Sequence, residues 1–211
     1  MTGPRIAILA NGDFPSSDAC LEALRSADVR VCCDGAAANL LEAGMQPDYI
    51  VGDMDSLPGD LQARFADRTR LCAGQDDNDM TKAFHFALGL NPSRITILGA
   101  TGAREDHTLG NISLLLDYAA EAPCPIGMLT DYGRFAVIRD SATMSATPGQ
   151  EISIFCFDSS VRITAEGLQY PTDKVVFDSL WKGTLNVALA ERFTLHLSHP
   201  CGVLVYFAQK R

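Results

Sequence analysis

From Arg5 to Thr130 the chain alternates short apolar runs with segments of helical period, and that alternation restricts its fold more than any other feature. Arg5 to Ala10, Val29 to Cys33, Tyr49 to Val51, Thr69 to Cys72, Arg94 to Leu98 and Ile126 to Thr130 read as strands. Between them, Ser17 to Ala27 places Cys20, Leu21, Leu24 and Ala27 on one face, and Ala36 to Ala43 is a short helix closed by Gly44. Pro58 opens a helix running to about Asp67, and Asn78 caps one with Met80, Ala83, Phe84, Ala87 and Leu88 as its apolar stripe. Asp106 caps another, which carries Leu109, Ile112, Leu116 and Ala119 inward. Strand, helix, strand repeated in this way needs crossovers and so predicts an α/β fold with a parallel sheet. From Arg134 onward the helical period disappears. RFAVI, EISIFCF, VRITA, FTLHLS and GVLVYFA predict an all-β domain over residues 134–211, following an α/β domain over residues 1–133. A β domain that small is marginal alone, so it is expected to pack on the first domain or pair with its copy in a dimer.

A net charge of −9 argues against nucleic acid as a partner, because binding a phosphate backbone needs a basic surface. It does not argue against nucleotides, whose phosphates can be met through a metal held by carboxylates. No apolar run is long enough to span a membrane, and the opening stretch is too short for a signal peptide, so a cytoplasmic protein is expected. The seven cysteines contain no C-x-x-C pair, which fits buried thiols in a reducing compartment better than a disulfide framework or zinc site.

The acids follow the strands. In YIVGDMDSL, Asp53 and Asp55 stand two apart directly behind an apolar run. If Gly52 to Ser56 continues extended, both carboxylates point one way and Met54 turns back. Their mutual repulsion then asks for a cation between them, most naturally Mg²⁺; the other reading of the same residues is an aspartate-rich turn. Asp34 ends the second strand. Asp76 and Asp79 open the helix that carries Lys82, within reach of Asp79. In GATGAREDHTLGN, Gly99 and Gly102 admit close approach of a ligand, Arg104 offers a forked donor for phosphate, and Asp106 stands beside it. His107 reads as a structural first-turn residue. A parallel sheet gathers all these strand ends along one edge, and acids for a metal with two cations for phosphate oxygens are the equipment of phosphoryl transfer. Neither a P-loop nor a G-x-G-x-x-G motif occurs.

In order, DGAAANLLEAGMQPDYIVGDMDSL, QDDNDMTKAF and GATGAREDHTLGN resemble the signature blocks of the thiamine pyrophosphokinase family, and GLQYPTDKVV to GTLN resembles its C-terminal thiamine-binding segment. The resemblance implies a Rossmann-like parallel sheet with flanking helices followed by a β-sandwich, in a homodimer with active sites between subunits. It implies Mg²⁺-dependent transfer of pyrophosphate from ATP to the hydroxyl of thiamine, releasing AMP. Asp34, Asp53, Asp55 and Asp79 match the family's acids around metal and phosphates, with Asp53, Asp55 and Asp79 as metal ligands. Asn11, Gln75, Asp76, Lys82, Arg104 and Asp106 fall in its ATP-binding and phosphate-binding blocks, and Tyr170, Thr184 and Asn186 in its thiamine-binding segment. Leu185 departs from that segment by replacing a serine. Trp181 reads as core or dimer packing, or as a ring that stacks on the thiazolium. An aspartate-nucleophile phosphatase, a D-x-D glycosyltransferase and a sensor without turnover are the competing readings of the acidic motifs.

Overall fold

The computed structural model describes residues 2–72, 74 and 77–209. It is a mixed α/β fold with a large, mostly parallel sheet and a smaller antiparallel one. The chain divides into two compact units, Met1–Asp131 and Tyr132–Arg211.

In the first unit the order of elements is β1 (Arg5–Leu9), α1 (Asp18–Ser26), β2 (Val29–Cys33), α2 (Ala36–Glu42), β3 (Tyr49–Gly52), α3 (Gly59–Arg64), β4 (Thr69–Leu71), α4 (Asp79–Leu88), β5 (Arg94–Leu98), α5 (Glu105–Glu121) and β6 (Ile126–Thr130). The strands lie in the order β6-β5-β1-β2-β3-β4, every pair parallel. The chain builds outward from β1 through β4, then returns to place β5 on the other side of β1. Strand order therefore reverses between β1 and β5, and the crevice outside their carboxyl ends is where open α/β sheets hold ligands. Ala7, Leu9, Cys32 and Ile50 pack with Cys20 and Leu24 of α1 and Leu40 of α2 in one core cluster.

Three expectations about helices change. Asp106 is not the cap of α5: that position is Arg104, with no side-chain cap bond, and Asp106 lies in the first turn. The buried residues of α5 are Leu115 and Tyr118, while Leu109 is 64% exposed and Ile112, Leu116 and Ala119 are half-buried. The first turns of α5 line a cavity through Asp106, His107, Gly110 and Asn111. α3 also stops at Arg64, short of Asp67.

Asp131, directly after β6, accepts hydrogen bonds from the Ser16 N–H at 2.9 and 3.0 Å, the Ser17 N–H at 2.8 Å and the Ser16 hydroxyl at 2.8 Å. Burial alone would raise this carboxyl, but the Ser17 and Ser16 donors outweigh it and hold the group at about 2. Ser17 in turn caps α1. Asp131→Ala is expected to lower unfolding stability at neutral pH by roughly 1–2 kcal/mol. A depressed carboxylate contributes above its unfolded value of about 3.9 and loses that contribution as it is protonated, so the difference from wild type should vanish as pH falls toward 2. Urea titrations across that range check this; a difference constant down to pH 2 contradicts it.

In the second unit, β7 (Gly133–Ile138), β8 (Ala142–Ser145), β9 (Glu151–Cys156), β10 (Ile163–Glu166), β11 (Asn186–Val187), β12 (Arg192–Leu197) and β13 (Val203–Ala208) form antiparallel arrays β11-β9-β13-β7 and β10-β12-β8. β8 and β11, too short and mixed in pattern to read from sequence, complete them. Ile152, Ile154, Val203, Val205 and Phe207 of one array share a buried cluster with Ile163, Phe193 and Leu195 of the other.

Candidate active site

Asp34 follows β2 with its amide still donating to Val51 O at 3.0 Å, and its φ of 41° turns the chain sharply at the sheet edge. Aspartate tolerates that left-handed region better than most side chains. The residue is 2% exposed. Its Oδ2 accepts from the Ser56 N–H at 3.0 Å, while Oδ1 is the one buried side-chain oxygen or nitrogen without a hydrogen-bond partner among the described residues. Burial pushes this carboxyl up, the Ser56 N–H opposes, and Asp55 and Asp79 add to the rise.

Asp53 and Asp55 do converge, though not as an extended segment. Met54 sits at φ 69°, and the Asp55 N–H donates to Asp53 Oδ1 at 3.3 Å, so the motif is a turn. The turn buries Met54 in the core and brings carboxylate oxygens of Asp34, Asp53 and Asp55 within 4.8 Å of one another. Turn and cation-binding readings are thus the same geometry. Gly52 makes room for it: a Cβ there would lie 3.0 Å from Asp34 Cβ and 3.3 Å from Asp79 Cγ.

Asn78 caps α4 by accepting from the Thr81 N–H at 2.8 Å, and Asp79 is the first helical residue. Lys82 Nζ donates to Asp79 Oδ1 at 3.0 Å with its side chain only 9% exposed, so the pair is not the solvated one its helical spacing alone suggests. The hydrogen bond to Asp79 raises the lysine, with Asp53 contributing. Arg104 forms a forked pair with Asp106 at 3.0 and 2.5 Å, and Asp106 also accepts from the His107 N–H. The Arg104 partner holds Asp106 down at about 2.

A cavity of about 590 Å³ opens at the reversal of strand order; Asp34 and Asp55 stand beside it and are not part of its lining. Asn11, Asp53, Asp79, Lys82, Arg104 and Asp106 all line it. Asn11 reaches toward Gly35, where an added Cβ would stand 2.9 Å from its Nδ2. Gln75 and Asp76 lie outside the described residues. Asp77, His107 and Asn111 also line the cavity. His107 reads as structural from the sequence, and Asn111 carries no signal there, because a polar residue inside an amphipathic helix looks solvent-facing until its partner is known. That partner is Ala100 O, which accepts from Asn111 Nδ2 at 2.9 Å.

In the second unit Tyr170, Thr184 and Asn186 line one cavity of about 320 Å³. Asn186 is buried, accepts from the Tyr170 N–H at 3.0 Å and donates to Tyr170 O at 2.8 Å, so its amide holds the tyrosine backbone. The Thr184 hydroxyl donates to Trp181 O at 2.7 Å. Leu185 adopts φ 63°, a strained conformation for leucine, and projects from the rim. Trp181 is 71% exposed, so it is not core packing in this unit.

Fold and site together define a mixed α/β protein with a cavity at the carboxyl ends of parallel strands and a cluster of three carboxylates beside it, the class that includes phosphoryl-transfer enzymes. The family model for the thiamin pyrophosphokinase catalytic domain matches residues 20–126, and that for the thiamin pyrophosphokinase substrate-binding domain matches residues 133–206. The chain belongs to the thiamin pyrophosphokinase family. It is 37% identical over 86 residues to the thiamine pyrophosphokinase of Bacillus subtilis, covering 39% of this chain and 40% of that protein. It is 31% identical over 122 residues to thiamine pyrophosphokinase 1 of Oryza sativa, covering 44% and 45%. These matches span less than half the length of either relative. Among solved structures, the thiamin pyrophosphokinase family protein of Enterococcus faecalis superposes with a TM-score of 0.81 at 22% identity over 98% of this chain and 100% of that one, a likeness of fold. The thiamine pyrophosphokinase of Bacillus subtilis gives 0.78 at 22% identity over the same shares.

Proposed function

We propose that this protein transfers pyrophosphate from ATP to the hydroxyl of thiamine, producing thiamine diphosphate and AMP. The observation that carries the reading is the convergence of Asp34, Asp53 and Asp55, with a buried, unpartnered Asp34 oxygen, beside a cavity lined by Lys82 and Arg104. Three carboxylates gathered this closely fit a hard divalent cation with oxygen ligands, because without one the repulsion and the unpaired buried oxygen are unrelieved. Mg²⁺ held there would screen the polyphosphate charge and polarise the group in transfer. Asp79, adjacent through Gly52, is the remaining metal candidate.

In this reading the hydroxyl oxygen of thiamine attacks the β-phosphorus of ATP, the bond from that phosphorus to the α–β bridging oxygen breaks, and AMP leaves with the bonding pair. Lys82 and Arg104 neutralise charge on the transferred group, Arg104 exchanging its Asp106 partner for phosphate oxygens. Asp79 or Asp34 orients the attacking hydroxyl and takes its proton. Asn11 and Asp106 complete the nucleotide wall, and Gln75 and Asp76 belong to the same proposal. Tyr170 presents its ring to the cationic thiazolium, with Thr184 and Asn186 holding the surrounding segment.

The finer architecture follows the same proposal: a Rossmann-like catalytic domain over residues 1–133 and a thiamine-binding β-sandwich over residues 134–211. A core shared by the two antiparallel arrays supports the sandwich. We further propose a cytoplasmic homodimer with active sites between subunits. The exposed Leu180, Trp181, Leu185 and Leu189 support an interface, and the free cysteines fit a reducing compartment. No helix among the described residues is long and apolar enough to cross a membrane.

The test is incubation with ATP, Mg²⁺ and thiamine, following AMP and thiamine diphosphate together by chromatography. Equal amounts of both are expected. ADP or free phosphate in place of AMP overturns the proposal.

A further inference from the structure

We infer that Tyr118 is a positioning residue for the first unit's cavity, acting through Thr81 on the turn that carries Asp79 and Lys82. The inference rests on reading that cavity as the nucleotide site. Neither Tyr118 nor Thr81 lines it, yet Thr81 stands between Met80 and Lys82, which both do. The Thr81 hydroxyl and the Tyr118 phenol share a 2.7 Å hydrogen bond, with the two residues 9% and 1% exposed. The Tyr118 ring lies flat on Phe84, with centroids 4.1 Å apart and planes at 16°. Tyr118 follows Asn111 on α5 by about two turns, and Asn111 ties that helix to the loop after β5 through Ala100 O.

The cavity therefore has two helical walls, α4 with Asp79 and Lys82 and α5 with its leading Arg104 and Asp106. What sets their register is the question. A stacked ring pair resists separation but permits sliding, whereas an O–H···O bond is directional and selects one alignment. A second polar contact between the helices, His85 Nε2 to Glu121 Oε2 at 3.2 Å, is exposed and contributes little. The hydroxyl pair is buried and directional, which suits it to fix Lys82 relative to Arg104, and sub-ångström placement of such groups governs how a polyphosphate is held.

The experiment uses the full chain with Tyr118→Phe, Thr81→Val and the double variant. Each single change leaves one buried hydroxyl unpartnered and should lower the melting temperature; the double change removes both and should restore most of it. Positioning predicts a different pattern for nucleotide. The Kd of a non-hydrolysable ATP analogue with Mg²⁺, measured by calorimetry, should rise about three- to tenfold in Tyr118→Phe. It should stay raised in the double variant although stability has returned, with the KM for thiamine unchanged. A Kd that recovers with the melting temperature, or never changes, overturns the positioning role alone. A wild-type protein that binds no analogue overturns both this role and the nucleotide reading.

Discussion

Asp53→Asn is expected to lower turnover by roughly 10³-fold, which is about 4 kcal/mol of transition-state stabilisation. The substitution keeps the size and one oxygen of the side chain but removes a full charge from a cluster of three carboxylates within 4.8 Å. A cation held by that cluster loses one of its charged ligands, so the Mg²⁺ concentration for half-maximal activity should rise as turnover falls. The turn should survive, because the amide oxygen can still accept from the Asp55 N–H. The melting temperature without metal should therefore move little. Activity within tenfold of wild type at saturating Mg²⁺ would contradict the assignment of Asp53 to the cation.

Asp34→Asn should separate stability from function. Its carboxyl is buried, its folded value is raised by burial, and its Oδ1 has no partner. For an acid raised in this way the folded state binds the proton more tightly than the unfolded state. Stability without metal is then lost as pH climbs from the unfolded value of about 3.9 through the folded one, and the loss persists at neutral pH. Asparagine has no charge to bury and can still accept from the Ser56 N–H. The variant should accordingly melt about 3–6 °C higher than wild type in chelator at neutral pH, a gain of roughly 1–2 kcal/mol. That advantage should shrink as the pH falls, because burial makes the wild-type Asp34 carboxyl take up its proton more readily than an unfolded one does. Addition of Mg²⁺ should stabilise wild type and not the variant, and activity should fall at least ~100-fold. Thermal melts with and without Mg²⁺ check each part; a variant less stable than wild type in chelator would mean that the charge is not a burden in the folded protein.

The two predictions differ in how far the sequence anticipates them. Asp53 and Asp55 are visible as a pair behind an apolar run, so their chemistry is legible without coordinates. Asp34 is visible as the end of a strand, but its burial and its orphaned oxygen depend on Ser56 from a different loop and on Gly52 having no side chain. Lys82 and Asp79 are legible as an i,i+3 pair. That the lysine is sheltered follows from a cavity wall that helical spacing does not describe. Helical period alone does not identify the buried stripe of α5, where only Leu115 and Tyr118 bury fully. The segment around Tyr170 behaves similarly: Tyr170 and Asn186 are sixteen residues apart, and only the fold makes the amide of one hold the backbone of the other.

By itself the sequence determined the alternation of strands and helices, the change to all-β character, and the placing of acids directly after strands. Each rests on local physics: side-chain period, capping residues and turn formers act over a few neighbouring positions. Tertiary structure alone decided which acids meet. The reversal of strand order between β1 and β5 opens the cavity, and left-handed backbone at Asp34 and Met54 aims three carboxylates at one point. Those outcomes depend on which strands pair across long sequence separations, where the stabilisation is shared over the whole core and no short stretch carries its signature.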